Sequence, residues 1–70
     1  MLHEVAYRER VSIPVAKAKV CAVAEYSDST LRNLLSGKQV SKSTMEKTLR
    51  ALEKFNLMHL SEGMFQLKAS

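Results

Sequence analysis

The sequence predicts a mainly α-helical domain of about four helices that ends in a short β-hairpin. In the middle of the chain, serines that favour helix starts stand before apolar residues at helical spacing. Residues 57–67 instead alternate around a glycine, as two short strands would. A chain of 70 residues is expected to bury only about 60% of its unfolded surface. We therefore expect one domain over residues 1–70, of modest stability.

The first two helices are predicted with different strength. Apolar residues near the N-terminus fit both a helical face and an alternating strand, and we favour a helix over residues 3–10. Ser12 and Pro14 are a clearer signal, because Ser caps helices and Pro is tolerated in their first turn. A second helix of small side chains should begin near Pro14 and end at the polar break of residues 25–28.

The third helix is expected over about residues 28–36, with Ser27 or Asp28 as its cap. Gly37 should end it, since a glycine readily adopts the positive φ of a helix C-terminus. Val40 is the expected buried anchor of the following loop. The helix should turn three leucines inward and four polar residues outward: Leu31, Leu34 and Leu35 inside, and Ser29, Arg32, Asn33 and Ser36 outside.

The fourth helix and the hairpin complete the predicted fold. Ser43 and Glu46 have the spacing of a capping box, and Asn56 is the expected C-terminal cap. Residues 57–67 alternate around Gly63 and predict two short strands, which must pack on the helices or pair across a dimer. The apolar stripe of the fourth helix consists of Met45, Leu49, Leu52 and Phe55.

The basic residues are concentrated in one part of the sequence. The chain has a net charge of +4. Between Arg32 and Arg50 there are five cations and one acid, so this segment alone holds the whole surplus. The cations are Arg32, Lys38, Lys42, Lys47 and Arg50. Such a local excess predicts an acidic partner.

Enzymatic chemistry is not predicted. There are two histidines, one cysteine and one aspartate, without metal-ligand spacing, a nucleophile motif or a phosphate-binding glycine loop. We expect no enzyme activity, metal or small-molecule cofactor. Cys21 is expected in the core, and a single cysteine excludes an internal disulfide and fits a reducing compartment. No apolar run is long enough to span a membrane, so a cytoplasmic protein without membrane contact is expected.

Helices two and three fit insertion into the major groove of DNA. The third helix opens with slim Ser and Thr side chains that can donate and accept hydrogen bonds. Val20-Cys21, Ser27-Asp28-Ser29-Thr30-Leu31, Leu34 and Gly37-Lys38 resemble the lambda-repressor-like helix-turn-helix family of phage and bacterial regulators, over about residues 14–55. The chain departs from that pattern at Glu25, which replaces the turn glycine, in a missing glutamine, and in a spacing one residue short after Gly37.

The resemblance implies a sequence-specific transcriptional regulator of the phage repressor kind that binds duplex DNA as a homodimer. Base edges or nearby phosphates would be contacted by Ser27, Ser29, Thr30, Arg32 and Asn33. The DNA backbone would be held by Lys38, Gln39, Lys42 and Lys47. Without the resemblance, the serines and Thr30 would be explained as caps and Arg32 as a solvated charge.

Two alternatives stay open at this point. In a winged helix, residues 43–55 would be the recognition helix, residues 59–67 the wing and residues 4–12 a third strand. Lys42, Ser43, Thr44 and Lys47 would then face DNA. In the other alternative the domain is a protein–protein adaptor that does not bind DNA, and uses the apolar stripe of the fourth helix and the hairpin.

Overall fold

The computed structural model describes residues 1–68 and contains four α-helices in this part of the chain. These are α1 (Leu2–Glu9), α2 (Ile13–Ala24), α3 (Asp28–Leu35) and α4 (Lys42–Lys54). A short 3₁₀ helix, Met58–Ser61, follows α4. The predicted mainly α class is confirmed, and so is the helix predicted over residues 3–10. None of the described helices has the length and apolar character needed to cross a membrane.

Helix α2 is the centre of the packing. It contacts α1, α3 and α4, while the 3₁₀ helix packs on α4. Its buried residues Ala16, Val20 and Ala24 are small, so neighbouring backbones can approach closely. The core around them also contains Val5, Leu31, Leu34, Val40, Leu52, Phe55 and Leu57.

The break between α2 and α3 is three residues long, Glu25 to Ser27. Glu25 ends α2 in the left-handed region at φ 61°, and its N–H donates to the Cys21 carbonyl at 2.8 Å. This conformation costs a non-glycine residue about 1 kcal/mol, yet it provides the reversal that a turn glycine would give. Ser27 has an extended backbone, and its Oγ accepts from the Thr30 N–H at 3.3 Å. Ser27 is therefore the cap of α3.

Tyr26 joins this turn to α4. Its hydroxyl lies 2.9 Å from Thr48 Oγ1, and Thr48 Oγ1 donates to the Thr44 carbonyl at 2.9 Å. Because a hydroxyl has a single hydrogen, Tyr26 is the donor in the first bond. Thr48 is fully buried, so these two bonds satisfy a polar group inside the core.

The start of α4 differs from the prediction. Ser41, not Ser43, is the cap, and its Oγ accepts from the Thr44 N–H at 3.2 Å. Ser43 and Glu46 consequently lie inside the helix and form no capping box. The helix begins earlier because Val40 is buried and held by backbone hydrogen bonds, which leaves Ser41 extended beside it.

Two predictions about apolar faces also change. Leu35, predicted to face inward, is 43% exposed because it is the last residue of α3. In α4, Leu52 and Phe55 are buried as predicted, whereas Met45 and Leu49 are half-buried. The tightest contacts of α4 come from Thr48 and Ala51, which lay outside the predicted stripe.

The predicted C-terminal hairpin is wrong. Asn56 takes a left-handed conformation at φ 62°, as expected of a helix end. The Leu57 N–H then donates to the Leu52 carbonyl at 2.8 Å. This reversal buries Leu57 against α4, and the chain continues as a 3₁₀ helix instead of a strand.

The end of the described chain returns to the loop between α3 and α4. The Val40 N–H donates to the Gln66 carbonyl at 2.8 Å, and the Lys68 N–H donates to the Val40 carbonyl at 3.0 Å. These bonds form one isolated parallel bridge between Val40 and Leu67. Within residues 1–68 there is no β-sheet.

Candidate nucleic-acid interface

All ten residues predicted to contact DNA are accessible to solvent. Thr30 and Lys47 are half-buried and the other eight are exposed. They lie on α3 and its cap, on the loop that follows, and on the first half of α4. The complete set is Ser27, Ser29, Thr30, Arg32, Asn33, Lys38, Gln39, Lys42, Ser43 and Lys47.

The outer face of α3 is determined by two buried leucines. Leu31 and Leu34 are 0% and 3% exposed and attach the helix to the domain. Arg32 and Asn33 lie between them in sequence and project to solvent, because successive helical residues are about 100° apart. The Arg32 side chain is 70% exposed. The helix thus presents a guanidinium and an amide side by side.

Asp28, at the start of α3, has two cationic neighbours. Its Oδ2 lies 3.2 Å from Lys17 Nζ and 3.7 Å from Arg32 Nη2. The Asp28 carboxylate interacts favourably with the positive, N-terminal end of the α3 helix dipole. It also lowers the positive potential in front of α3 and competes with any anionic ligand for Arg32.

Two of the predicted contact residues are also used by the cap. Ser27 Oγ lies 3.1 Å from Thr30 Oγ1 and accepts from the Thr30 N–H. The same arrangement recurs at Ser41 and Thr44, with their hydroxyls 3.1 Å apart. These hydroxyl groups therefore have a structural role whatever they contact outside.

A polar pocket of about 160 Å³ connects α3 to the start of α4. Thr30 and Asn33 contribute from α3, Gln39 from the loop, and Ser41 and Thr44 from α4. Val40 and Lys68 complete the lining. The structure thus brings together three of the ten predicted residues in this pocket, and the other seven lie outside it.

The residues that the prediction missed have different explanations. Ser41 repeats the Ser-x-Ser-Thr pattern found at Ser27, and this repeat is visible in the sequence. Lys68 has no such signal. It reaches the pocket only because residues 66–68 pair with Val40.

Four cations on the loop after α3 and on α4 are available for an anionic ligand. Within the described residues, none of Lys38, Lys42, Lys47 and Arg50 forms a salt bridge. Lys38, Lys42 and Arg50 are exposed, and Lys47 is half-buried. The basic segment predicted from the sequence therefore forms an accessible surface on the loop and on α4.

Two titratable groups near α3 and α4 are shifted by burial. Burial raises the pKa of the Cys21 thiol, and the nearby Asp28 carboxylate raises it further, so Cys21 stays a neutral thiol. Burial also raises the pKa of Tyr26. Between residues 1 and 68 no cluster of three or more His, Cys, Asp or Glu side chains could hold a metal ion.

Comparison with known proteins gives no relative for this chain. No family model, curated protein or solved structure matches it.

Proposed function

We propose that this chain is a helix-turn-helix protein that binds duplex DNA, with α3 as the helix that enters the major groove. The observation that carries the proposal is the arrangement of α2, the three-residue break and α3. Two buried leucines hold α3 on the domain while Arg32 and Asn33 point outward. Arg binds guanine and Asn binds adenine through paired hydrogen bonds in the major groove.

The surroundings of α3 support the same proposal. Lys38 and Gln39 follow directly in the loop, and Lys42 and Lys47 lie on the helix after it. Contacts of this kind to phosphates fix the position of a protein on the duplex. Asn33 and Gln39 both line the polar pocket between α3 and the start of α4.

The winged-helix alternative has less support. It requires a β-hairpin as the wing, and residues 58–61 form a 3₁₀ helix instead. It also uses residues 4–12 as a strand, and most of these belong to α1. The adaptor alternative is weakened in a similar way, because Leu52 and Phe55 are buried in the core and the hairpin is absent from the described chain.

A homodimer is part of the proposal. One eight-residue helix reads few base pairs, and helix-turn-helix proteins commonly occupy two half-sites about one helical turn apart. Two copies would place two α3 helices on one face of the duplex. Sedimentation of the protein with and without a DNA duplex tests this part separately from DNA binding.

The test is a titration with a mixed-sequence DNA duplex, measured by fluorescence anisotropy at several salt concentrations. If the four cations without salt bridges, Lys38, Lys42, Lys47 and Arg50, contact phosphates, the logarithm of the binding constant should fall with the logarithm of salt with a slope of about −3.6. Binding that is unchanged between about 50 and 200 mM salt would contradict the proposal.

Two double variants distinguish the helices. Arg32→Ala with Asn33→Ala should lower the affinity for a preferred duplex by at least about tenfold and reduce sequence preference. Lys42→Ala with Ser43→Ala, in the first turn of the next helix, should weaken binding about equally on all sequences. Loss of sequence preference only in the second variant would favour α4 as the recognition helix. Circular dichroism controls for the fold.

A further inference from the structure

A groove between α1 and the segment after α4 is a concave feature that the proposed function does not use. It has a volume of about 1030 Å³ and is lined by eight residues between His3 and Ser12, with Val5 and Glu9 excepted, together with Leu57 and His59. None of these residues belongs to the proposed DNA surface. Pockets for small molecules span roughly 300–1000 Å³, so a groove of this size has room for a polypeptide segment.

The rim of the groove is basic. Arg8 and Arg10 line it, with His3 and His59 beside them. Within residues 1–68, neither arginine forms a salt bridge. The one acid of the lining, Glu4, accepts from the Met1 α-amino group at 2.9 Å, and this hydrogen bond keeps the pKa of Glu4 below its ordinary value. The unpaired charge of the groove is therefore positive.

The composition of the groove is that of an interface. It contains two of the four arginines and one of the two tyrosines of the chain, but none of its seven lysines. Arg and Tyr are enriched at protein interfaces and Lys is depleted. The Tyr7 ring is 88% exposed, although it belongs to a helix whose other face is packed on α2. An apolar floor is provided by Ala6, Val11 and Leu57.

Arg10 is a second unusual feature of this rim. It ends α1 in the left-handed region at φ 55°, where glycine would be favoured by about 1 kcal/mol. The domain therefore carries a long cationic side chain at a position where it lowers the stability of the fold. Arg10→Gly should separate stability from binding.

We propose that this groove binds an acidic amphipathic segment of a partner protein, with Arg8 and Arg10 pairing its carboxylates and Tyr7 packing on its apolar residues. Charge complementarity selects this occupant. A second copy docked symmetrically through this groove would bring Arg8 and Arg10 against the same two arginines. DNA is less suitable, because a duplex presents a convex surface and the apolar floor offers nothing to phosphates.

The probe is a fluorescein-labelled 16-residue peptide with Glu and Asp on one helical face and Leu and Phe on the other. Its control is the same peptide with Lys in place of each acid. The acidic peptide should bind saturably and shift the amide signals of Tyr7, Arg10 and Leu57. Arg8→Glu with Arg10→Glu should weaken binding by at least about tenfold, as expected for the loss of close charge pairs.

Two single variants distinguish the loss of a peptide contact from unfolding of the domain. Tyr7→Ala removes an exposed side chain and should leave the melting temperature unchanged while lowering affinity about tenfold. Arg10→Gly should raise the melting temperature and still weaken the peptide complex. Each result requires the groove itself and would not follow from general damage to the fold.

The matched control is Arg32→Glu with Lys42→Glu, which reverses two charges on the proposed DNA surface. It should abolish DNA binding and leave peptide affinity within about twofold, so the two proposals can fail separately. Equal loss of peptide binding in both double variants would overturn the groove as a specific site. So would the absence of any shift in the groove amides, or displacement of the peptide by single-stranded DNA that shifts the same amides.

Discussion

Helices α3 and α4 begin with the same motif and have different surroundings. Each is preceded by an extended serine whose Oγ accepts from a threonine N–H three residues later. The short helix α3 packs on α2, whereas the 13-residue helix α4 packs on α2 and on the 3₁₀ helix. The same cap therefore begins one helix that packs on a single neighbour and another that packs on two.

The two helices also differ in the order of their charged residues. The first residue of α3 is Asp28 and the first of α4 is Lys42, and four positions later the signs are reversed, with Arg32 and Glu46. In α3 the acid pairs with the Arg one turn later at 3.7 Å. The start of α4 keeps its lysine unpaired in the described chain. By charge alone, the start of α4 is therefore better suited to phosphates than the start of α3.

The largest expected effect is on the free energy of unfolding when a buried leucine is removed from either helix. Leu52→Ala should destabilise the domain by about 4 kcal/mol, and Leu31→Ala by about 3 kcal/mol, because both remove nearly fully buried side chains but α4 has neighbours on two sides. Urea unfolding followed by circular dichroism measures both. Leu35→Ala, at a position 43% exposed, is the control and should cost less than about 1 kcal/mol. A larger loss at Leu31 than at Leu52 would reverse the order of the two helices.

Smaller effects are expected from the caps. Ser27→Ala and Ser41→Ala should each cost about 1 kcal/mol, since each leaves a helix N–H without its partner. Ser29→Ala and Ser43→Ala, two residues further on, are matched controls and should be near neutral. In DNA titrations Ser27→Ala should have the greater effect, because fraying reaches Arg32 in the shorter helix. An equal effect of Ser41→Ala on sequence preference would contradict the different roles of the helices.

The smallest expected change tests the acid at the start of α3. Asp28→Asn should lower stability by about 0.5 kcal/mol through the helix dipole. It should also strengthen DNA binding by about fivefold, because two unit charges about 4 Å apart interact by about 1 kcal/mol in water. Stability should fall while DNA affinity rises. Unfolding and anisotropy measurements on the same sample therefore test both effects. Glu46→Gln is the control within α4.

The sequence predicted the local features more reliably than the distant contacts. The four helices, a cap at Ser27 or Asp28 and the helix end at Gly37 depend on neighbouring residues, and the structure agrees with each, with Ser27 as the cap. The predicted burial of Val40 is also correct, and Val40 is held in addition by backbone bonds to residues 66 and 68. The choice between Ser41 and Ser43 as a cap depended on what precedes the helix, so spacing alone favoured the wrong serine. The alternation in residues 57–67 predicted strands because the reversal at Asn56 and the burial of Leu57 depend on α4.

The candidate site shows the same division. The exposed face of α3 follows from the positions of Leu31 and Leu34, and was predicted correctly as a surface. Lys68 could not be predicted, because its place beside Asn33 depends on a pairing across 27 residues of chain. The groove at α1 was also missed, since it joins residues 3–12 to residues more than forty positions away.

The bridge between Val40 and Leu67 makes the order of the α3–α4 loop depend on the last residues of the domain. In a chain emerging from the ribosome, all four helices can form before residues 66–68 are available to pair with Val40. The loop with Lys38 and Gln39 would then become fixed last. In the finished protein its opening breaks two backbone hydrogen bonds together, so hydrogen exchange at the amides of Val40 and Lys68 should report one shared event.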